Sequence, residues 1–248
     1  MKKAFVLIDF DNFIGSEVEN LTEEQFEYSL SKILKHCISE SSDVDFLEMR
    51  LYGGWYMDTE LTKQASIVQQ LLTRFDLFPI IMNGKRISGS INLASSMFSF
   101  PDLIWRHLYK ERRGVSRIRI AQHLVDDFCT ANRGGCPKYL LNKFTKKKDK
   151  LCPVVGCEFL QNEVFISPVQ KMVDTLIACD LITIAECEES SGIFLFSDDQ
   201  DHLPSLALAS IRRHKKLKCL NVIIQNETLL DLFEQLLKSF NIKLNYLP

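Results

Sequence analysis

The sequence predicts an α/β domain in which helices cover a central, mostly parallel β-sheet, with one inserted segment. Three observations lead to this expectation. Short apolar runs alternate with segments of helical periodicity near both ends of the chain, which is the pattern of strand–helix–strand units in a parallel sheet. The alternation is lost over residues 83–165, which we interpret as an insertion. The chain has 248 residues, enough for a single domain, residues 1–248, that carries such an insertion.

The first third of the chain is predicted to form three strands and two helices. It opens with AFVLIDFDN at 4–12, an apolar run that ends in acids, as expected for a buried central strand with a polar tip. Helical spacing follows over 22–40, with Thr22 as the N-cap. The apolar stripe of this helix consists of Phe26, Leu30, Ile33, Leu34 and Cys37. The remaining elements of this part are a strand at 46–55, a helix at about 59–74 and a strand at 77–82.

The middle of the chain offers fewer regular elements, and the α/β pattern then returns. Within the middle segment, a helix is predicted at 101–110 and a strand at 116–125. Ser167 and Pro168 combine an N-cap residue with a proline in the first turn, so a helix is predicted from there to about residue 186. The last elements are a strand at 193–197, a helix at 203–214, a strand at 219–224 and a terminal helix capped by Asn226.

Composition and charge are those of an ordinary globular protein, with 46% hydrophobic and 25% charged residues. The net charge of −2 excludes a global basic field, so any surface that binds nucleic acid has to be local. We find no run of 18 apolar residues and no export signal, and we expect a cytoplasmic protein with no membrane partner. In a reducing compartment, the eight cysteines are expected to be thiols or metal ligands.

Carboxylates are concentrated where two of the predicted strands end. Asp9 and Asp11 follow the first strand, whereas Asp198, Asp199 and Asp201 follow a later one. Ligands of open α/β sheets bind outside the carboxyl ends of the strands, so these acids are expected in one cleft. Two bare carboxylates about 4 Å apart repel by about 4 kcal/mol at an effective dielectric near 20. A cation is therefore expected among them, and oxygen ligands suit Mg²⁺ or Mn²⁺.

The helix predicted to begin at Ser167 adds another acid to this set. Asp174 lies on it, with Lys171 one turn before it on the same face. Asp180 lies about 240° around the same helix from Asp174, because each residue of an α-helix advances by about 100°. The two acids are therefore not expected to bind the same ion, and a structural role is predicted for Asp180.

Three sequence blocks resemble the signature blocks of the NYN domain family, a branch of the PIN-like metal-dependent ribonucleases. The blocks are LIDFDN at 7–12, KMVDTLIACD at 171–180 and SDDQDHLP at 197–204. They occur in the order that the family has them. The resemblance covers roughly residues 4–82 and 166–225 and leaves out the insertion.

The resemblance implies a PIN-like three-layer α/β/α fold and cleavage of RNA that depends on Mg²⁺ or Mn²⁺. The carboxylates that it implies as metal ligands and catalytic residues are Asp9, Asp174, Asp199 and Asp201. It also implies that Asn12 orients a ligand or the loop of Asp9. This chain departs from the family pattern at Met172 and Asp198, where the family has glycine, and at His202, where phenylalanine is usual. None of these departures removes an implied ligand.

Four cysteines in the insertion form two pairs, in the arrangement Cys129-x6-Cys136-x15-Cys152-x4-Cys157. Tetrahedral zinc requires four soft ligands on two short turns, and glycine and proline beside these thiols are typical of such turns. The spacing therefore predicts an inserted four-cysteine subdomain, similar to a zinc ribbon, over 129–157, with structural Zn²⁺. Ordinary free thiols are the alternative.

A lysine-rich stretch lies between the two cysteine pairs and also contains Tyr139 and Phe144. Lysines can bind a phosphate backbone and aromatic rings can stack on bases, so this stretch is a candidate nucleic-acid surface. A solvated, charged loop is an equally good interpretation. The candidate nucleic-acid-binding residues are Lys143, Lys146, Lys147, Lys148 and Lys171.

The sequence is compatible with three functions. The first is a metal-dependent nuclease, with RNA as the substrate implied by the resemblance, although the residues themselves fit single-stranded DNA as well. The second is a non-catalytic module that binds nucleic acid or a protein through a PIN-like fold. The third is a phosphatase of the haloacid dehalogenase type, because Asp9 and Asp11 form the D-x-D of that family. Asn12 and Phe13 argue against the third, since Gly-Thr is usual at that place.

Overall fold

The computed structural model describes residues 2–15, 21–41, 43–57, 59–74, 77–82, 84–106, 108–113, 140–141, 144–145, 151–152, 155–170 and 172–247. Contacts divide the chain into two compact units. The first unit consists of residues 1–109 and 170–248, and the second of residues 110–169. No helix in the described part of the chain has the length and apolar character needed to cross a membrane.

Thirteen strands and six α-helices are formed by the described residues. The strands are β1 Lys3–Asp9, β2 Phe46–Tyr52, β3 Tyr56–Met57, β4 Glu60–Leu61, β5 Ile80–Met82, β6 Lys85–Leu93, β7 Ser96–Met97, β8 Phe100–Ile104, β9 Tyr109–Arg113, β10 Ile166–Gln170, β11 Ser190–Phe196, β12 Cys219–Ile224 and β13 Lys243–Tyr246. The helices are α1 Glu23–Glu40, α2 Lys63–Arg74, α3 Gln161–Val164, α4 Val173–Glu186, α5 Leu203–Arg212 and α6 Leu230–Lys238.

The first unit is built around a seven-stranded sheet with the order β13-β12-β11-β1-β2-β6-β5. Six strands are parallel, and β5 pairs antiparallel with β6 at the edge. The central strand β1 is buried from its second residue to its last, because both of its faces are covered. The predicted α/β class with a mostly parallel sheet is confirmed, and the arrangement of sheet and helices is compatible with three layers.

The order of the strands places a topological switch point beside β1. From β1 the sheet grows in one direction through β2 and β6, and the later part of the chain begins again on the other side of β1, with β11 and then β12. Connections that leave two neighbouring parallel strands in opposite directions open a crevice at the carboxyl ends of those strands. The crevice of this sheet therefore lies at the ends of β1 and β11.

Helix α1 follows the sequence prediction closely. Its N-cap is Thr22, whose hydroxyl accepts a hydrogen bond from the backbone N–H of Gln25, while the Gln25 side chain accepts one from the Thr22 N–H. This reciprocal capping satisfies two of the four free N–H groups of the first turn. The apolar stripe is buried as predicted, at Phe26, Leu30, Ile33, Leu34 and Cys37.

The third parallel strand lies later in the chain than predicted. Only Ile80–Met82 of the predicted strand at 77–82 is extended, and it is the antiparallel edge strand. The parallel neighbour of β2 is Lys85–Leu93, which the predicted insertion at 83–165 included. Its sequence, KRISGSINL, lacks a continuous apolar run because the strand is only partly buried. The separate compact unit begins at residue 110.

One predicted helix, and the start of another, are strands in the structure. The segment predicted as a helix at 101–110 contains β8 and the start of β9. The helix predicted from Ser167 starts instead at Val173, because Ile166–Gln170 is extended and lies beside β9 in a small sheet. Pairing with another strand has overridden the local capping signal of Ser167 and Pro168. The predicted strand at 116–125 lies outside the described residues.

Helix α4 contains a buried acidic residue, Asp180, whose carboxylate is bound by residues of β2 and of the loop after β7. One carboxylate oxygen, Oδ2, lies 3.0 Å from a guanidinium nitrogen of Arg50 and accepts a hydrogen bond of 2.8 Å from the Tyr52 hydroxyl. The other oxygen accepts a hydrogen bond of 2.6 Å from the backbone N–H of Phe98. Asp180 therefore ties α4 to β2 and to the loop after β7, which is the structural role predicted for it.

Within the second unit, the described residues form a short antiparallel connection and a buried aromatic pair. Leu151 pairs with Leu160, and the Cys152 N–H donates to the Phe159 carbonyl. The ring of Phe144 is buried and lies 5.7 Å from that of Phe165, measured between centroids. Phe144 is thus engaged within this unit, which corrects its interpretation as a ring available for stacking on bases.

Candidate metal centre

The candidate site lies at the crevice between β1 and β11. Asp9 is the last residue of β1, and Ser197 directly follows β11. The two strands are parallel neighbours, with Ile8 paired to Phe196, so the residues that follow them emerge side by side. Helix α4 contributes Asp174 to the same place. Residues from three distant parts of the chain therefore meet at one edge of the sheet.

Asp9 is buried, with 4% of its surface exposed, and its carboxylate is oriented by a hydroxyl group. The Ser197 hydroxyl donates a hydrogen bond of 3.0 Å to Oδ2 of Asp9. The same Ser197 oxygen accepts one of 3.1 Å from the N–H of Asp199. This relay joins the end of β1 to the loop after β11 and holds the Asp9 carboxylate in one orientation.

Asp174 lies in the first turn of α4, where the helix dipole favours a negative charge. The preceding Met172 has a φ of 63°, in the left-handed region that an L-residue with a side chain adopts only at an energetic cost. The signature block that this stretch resembles has glycine at this place, and the backbone of this chain has the left-handed conformation with methionine. Asp174 thus reaches the crevice from a strained helix start, and strain of this kind is common at functional sites.

Asp9, Asp174 and His202 form a group that could bind a metal ion. One ligand atom from each residue lies within 4.8 Å of the corresponding atoms of the other two. Two ligands of the same Mg²⁺ can be at most about 4.2 Å apart, because each metal–oxygen distance is about 2.1 Å. Small movements of the side chains therefore suffice to place all three atoms around one ion.

His202 is the member of this group that was not predicted from the sequence to be a ligand. It lies in a short 3-10 turn between β11 and α5, and only 1% of its surface is exposed. Its Nε2 atom lies 3.7 Å from Oδ2 of Asp9, too far for a hydrogen bond. The third sequence block has histidine at this position instead of the phenylalanine that is usual in the pattern it resembles, and this difference could have identified His202 as a candidate ligand.

The carboxylates of the site perturb one another. Desolvation raises the pKa of the Asp174 carboxyl above its ordinary value, and His202 opposes this increase. The negative charges that raise the same pKa further are those of Asp9, Asp199 and Asp201. Burial also raises the pKa of Asp11, against a hydrogen bond from Gln64 that lowers it. Among the described residues, negative charges therefore outnumber positive ones in the crevice, and a divalent cation would offset them.

Asp199 and Asp201 lie close to the group but outside it. They are near enough to raise the pKa of Asp174, yet the 4.8 Å group contains neither of them. Asp199 caps the 3-10 turn, since its Oδ1 accepts a hydrogen bond of 2.8 Å from the N–H of Asp201. The structure thus brings Asp9 and Asp174 together, and it places Asp199 and Asp201 at the margin of the site.

Asn12 and Asp198 connect the loops around the crevice. The side-chain oxygen of Asn12 accepts a hydrogen bond of 3.1 Å from the N–H of Asp198. The Asp198 carboxylate is not part of the metal group, and its Oδ1 accepts hydrogen bonds of 2.7 Å and 3.1 Å from the N–H groups of Gln225 and Asn226. Asn12 therefore positions the loop after β11, and Asp198 fixes that loop to the turn after β12.

Most of the predicted zinc and nucleic-acid residues lie outside the described residues. This applies to Cys129 and Cys136 and to all five candidate lysines, Lys143, Lys146, Lys147, Lys148 and Lys171. Cys152 and Cys157 are described and are partly buried free thiols. They flank a turn in which Gly156 has a φ of 85°, a conformation suited to glycine.

Comparison with protein-family models, with curated proteins and with solved structures finds no match for this chain. A function therefore has to be inferred from the chemistry of the crevice itself.

Removal of the charge on Asp174 is expected to stabilise the metal-free protein at neutral pH. A carboxyl whose pKa is raised by folding destabilises the folded state once it ionises. The free energy of unfolding therefore falls as the pH rises from the pKa of the unfolded state through the pKa of the folded state. In EDTA at about pH 7, the free energy of unfolding of Asp174→Asn, measured with urea, should therefore be higher than that of the parent. The difference should be less than about 1 kcal/mol because Asp174 is exposed to solvent. At about pH 3 the difference should disappear, and saturating Mn²⁺ should reverse it.

Asp231→Asn is the control for this measurement. Asp231 is also exposed and lies in the first turn of a helix, α6, but it is not part of the metal group. Loss of its charge removes only the favourable interaction with the helix dipole, so this variant should be slightly less stable at about pH 7. If Asp174→Asn behaved like Asp231→Asn, the carboxylates of the crevice would not repel one another significantly.

Proposed function

We propose that this chain is a metal-dependent nuclease that hydrolyses phosphodiester bonds in RNA, on a PIN-like α/β/α fold. The observation that carries the proposal is the meeting of Asp9 and Asp174 at the switch point of the sheet, within 4.8 Å of each other and of His202. Crevices of this kind are where open α/β sheets bind ligands. The two acids belong to different sequence blocks, and both are residues for which the resemblance to the NYN family implies metal binding.

The chemistry of the donor set supports a divalent cation. Asp9 and Asp174 offer carboxylate oxygens, which suit Mg²⁺ and Mn²⁺, and in this proposal Asp199 and Asp201 complete the coordination directly or through water. A cation held there activates water and offsets the negative charge of a phosphoryl transition state. Without a cation, the negative charge of the crevice would repel a phosphodiester, so a nuclease built on these residues requires the metal.

The contributions of the protein in this proposal are orientation and charge. Ser197 orients the Asp9 carboxylate through its hydrogen bond to Oδ2, the oxygen that also lies 3.7 Å from Nε2 of His202. Asn12 and Asp198 fix the loop that presents Asp199 and Asp201. Side chains held by such contacts need little reorganisation when a substrate arrives, which is how a site of this type lowers a reaction barrier.

The inserted segment serves substrate binding in this proposal. Cys129, Cys136, Cys152 and Cys157 bind a structural zinc ion, and the lysines between the cysteine pairs bind the phosphate backbone of the RNA. The two described thiols support the zinc part, because they are free and flank a glycine turn. Metal analysis of the purified protein should therefore find one zinc per chain, and a Cys152→Ser, Cys157→Ser double variant should lack it.

The proposed activity can be tested with end-labelled RNA and single-stranded DNA in the presence of Mn²⁺, Mg²⁺ or EDTA. We expect RNA to be cleaved with a divalent metal and not in EDTA. RNA binding with no cleavage under any metal condition would favour a non-catalytic binding module. Binding of beryllofluoride to Asp9 as an analogue of a phospho-aspartate, together with hydrolysis of a simple phosphomonoester, would favour the phosphatase.

A further inference from the structure

The side chain of His202 is buried without any hydrogen-bond partner for its two ring nitrogens among the described residues. An imidazole that is 1% exposed normally has such partners, because a buried polar atom without one costs about 1–3 kcal/mol. Phenylalanine, which the related family has here, would fill the same space at no such cost. The presence of a histidine in this position therefore suggests a partner that is not part of the polypeptide.

The position of the ring identifies the kind of partner. Nε2 of His202 lies 3.7 Å from Oδ2 of Asp9, and the group that could bind a metal includes both residues and Asp174. The unprotonated nitrogen of a neutral imidazole has one lone pair, with which it binds a metal ion at about 2.1 Å. An ion between the three side chains would satisfy this nitrogen and would also neutralise the two carboxylates.

We propose that His202 is a third protein ligand of the metal ion bound by Asp9 and Asp174, and that its nitrogen makes the site select Mn²⁺ over Mg²⁺. The inference rests on the proposed metal-dependent function and adds the identity of the metal. Mg²⁺ is a hard ion that favours oxygen ligands and keeps several waters. Transition metals bind imidazole better, and Mn²⁺ combines this with a good affinity for carboxylates.

Mn²⁺ binding can be compared with Mg²⁺ binding by calorimetric titration of the full chain and of two variants. His202→Phe restores the residue of the related family and should lower the Mn²⁺ affinity by at least about 10-fold, with the Mg²⁺ affinity changed by less than about 3-fold. His202→Gln keeps a ligand of similar reach but replaces nitrogen by oxygen. It should bring the ratio of Mn²⁺ to Mg²⁺ affinity close to that of His202→Phe.

His36→Phe is the matched control. His36 on α1 also has a buried ring nitrogen, Nε2, without a hydrogen-bond partner among the described residues, but it lies outside the metal group. Its replacement should leave the ratio of the two affinities unchanged. An equal fall of this ratio in His36→Phe and His202→Phe would show that the effect comes from repacking of the core and would overturn the proposal.

Pulsed electron paramagnetic resonance of Mn²⁺ bound to the parent protein gives a readout that requires neither a folded variant nor activity. Modulation from a directly bound ¹⁴N nucleus is expected in the parent protein and should be absent in His202→Phe. If Mn²⁺ binds, depends on Asp9 and shows no nitrogen coupling, His202 is not a ligand and the nuclease proposal stands. If neither Mn²⁺ nor Mg²⁺ binds to the parent protein, both proposals fail.

Discussion

Asp9→Asn is expected to lower the kcat/KM for RNA cleavage by about 1000-fold or more. A metal ion contributes several kcal/mol to the stabilisation of a phosphoryl transition state, and about 4 kcal/mol corresponds to a factor of about 1000 in rate. Asparagine has the shape of aspartate and can still accept the Ser197 hydrogen bond, so the orientation of the side chain should be preserved. The variant should therefore fold, and titration should show that it no longer binds Mn²⁺ with the affinity of the parent.

Asp198→Asn is the control for this prediction, because it removes the same charge from a carboxylate that is not part of the metal group. The Asp198 carboxylate accepts the N–H groups of Gln225 and Asn226, and an asparagine oxygen can accept them as well. Loss of the charge weakens these bonds and should cost about 1 kcal/mol of stability, with cleavage within about 3-fold of the parent. Equal losses of cleavage in the two variants would mean that Asp9 has no special role.

Asp180→Ala is expected to lower the free energy of unfolding by about 3–5 kcal/mol, the cost of removing one member of a buried ion pair. Arg50 is 7% exposed and would keep its charge in the core, with Glu48 more distant at 3.9 Å. The Tyr52 hydroxyl and the Phe98 N–H would lose their acceptor. Urea unfolding monitored by circular dichroism measures the loss, and an Arg50→Met, Asp180→Leu double variant should recover the part that is due to the uncompensated charge of Arg50.

The control for Asp180 lies on the same helix. Glu186 pairs with Arg212 at 3.2 Å, but both side chains are about half exposed, so Glu186→Ala should cost less than about 1 kcal/mol. Since Asp180 is not part of the metal group, Asp180→Asn should retain full cleavage per folded molecule. A similar loss of stability in Asp180→Ala and Glu186→Ala, or a specific loss of cleavage in Asp180→Asn, would contradict the structural role.

Local sequence was sufficient to predict the parts of the fold that depend on neighbouring residues. The capping of α1 by Thr22 is a contact between residues three apart, and the burial of β1 and of the second half of β11 follows from continuous apolar runs. The proximity of the first and third blocks was also predictable, because the parallel strands β1 and β11 present their carboxyl ends at one edge of the sheet. These features need only local periodicity and one general rule of topology.

Long-range packing determines the structure where contacts with distant residues override the conformation that neighbouring residues favour. Ser167 and Pro168 have the composition of a helix start, yet the segment pairs as a strand and α4 begins at Val173. Among the acids after β11, the carboxylate of Asp198 faces the turn after β12, while His202 enters the group with Asp9 and Asp174. Such choices depend on hydrogen-bond donors and on burial that the packed sheet provides, and patterns among neighbouring residues do not contain them.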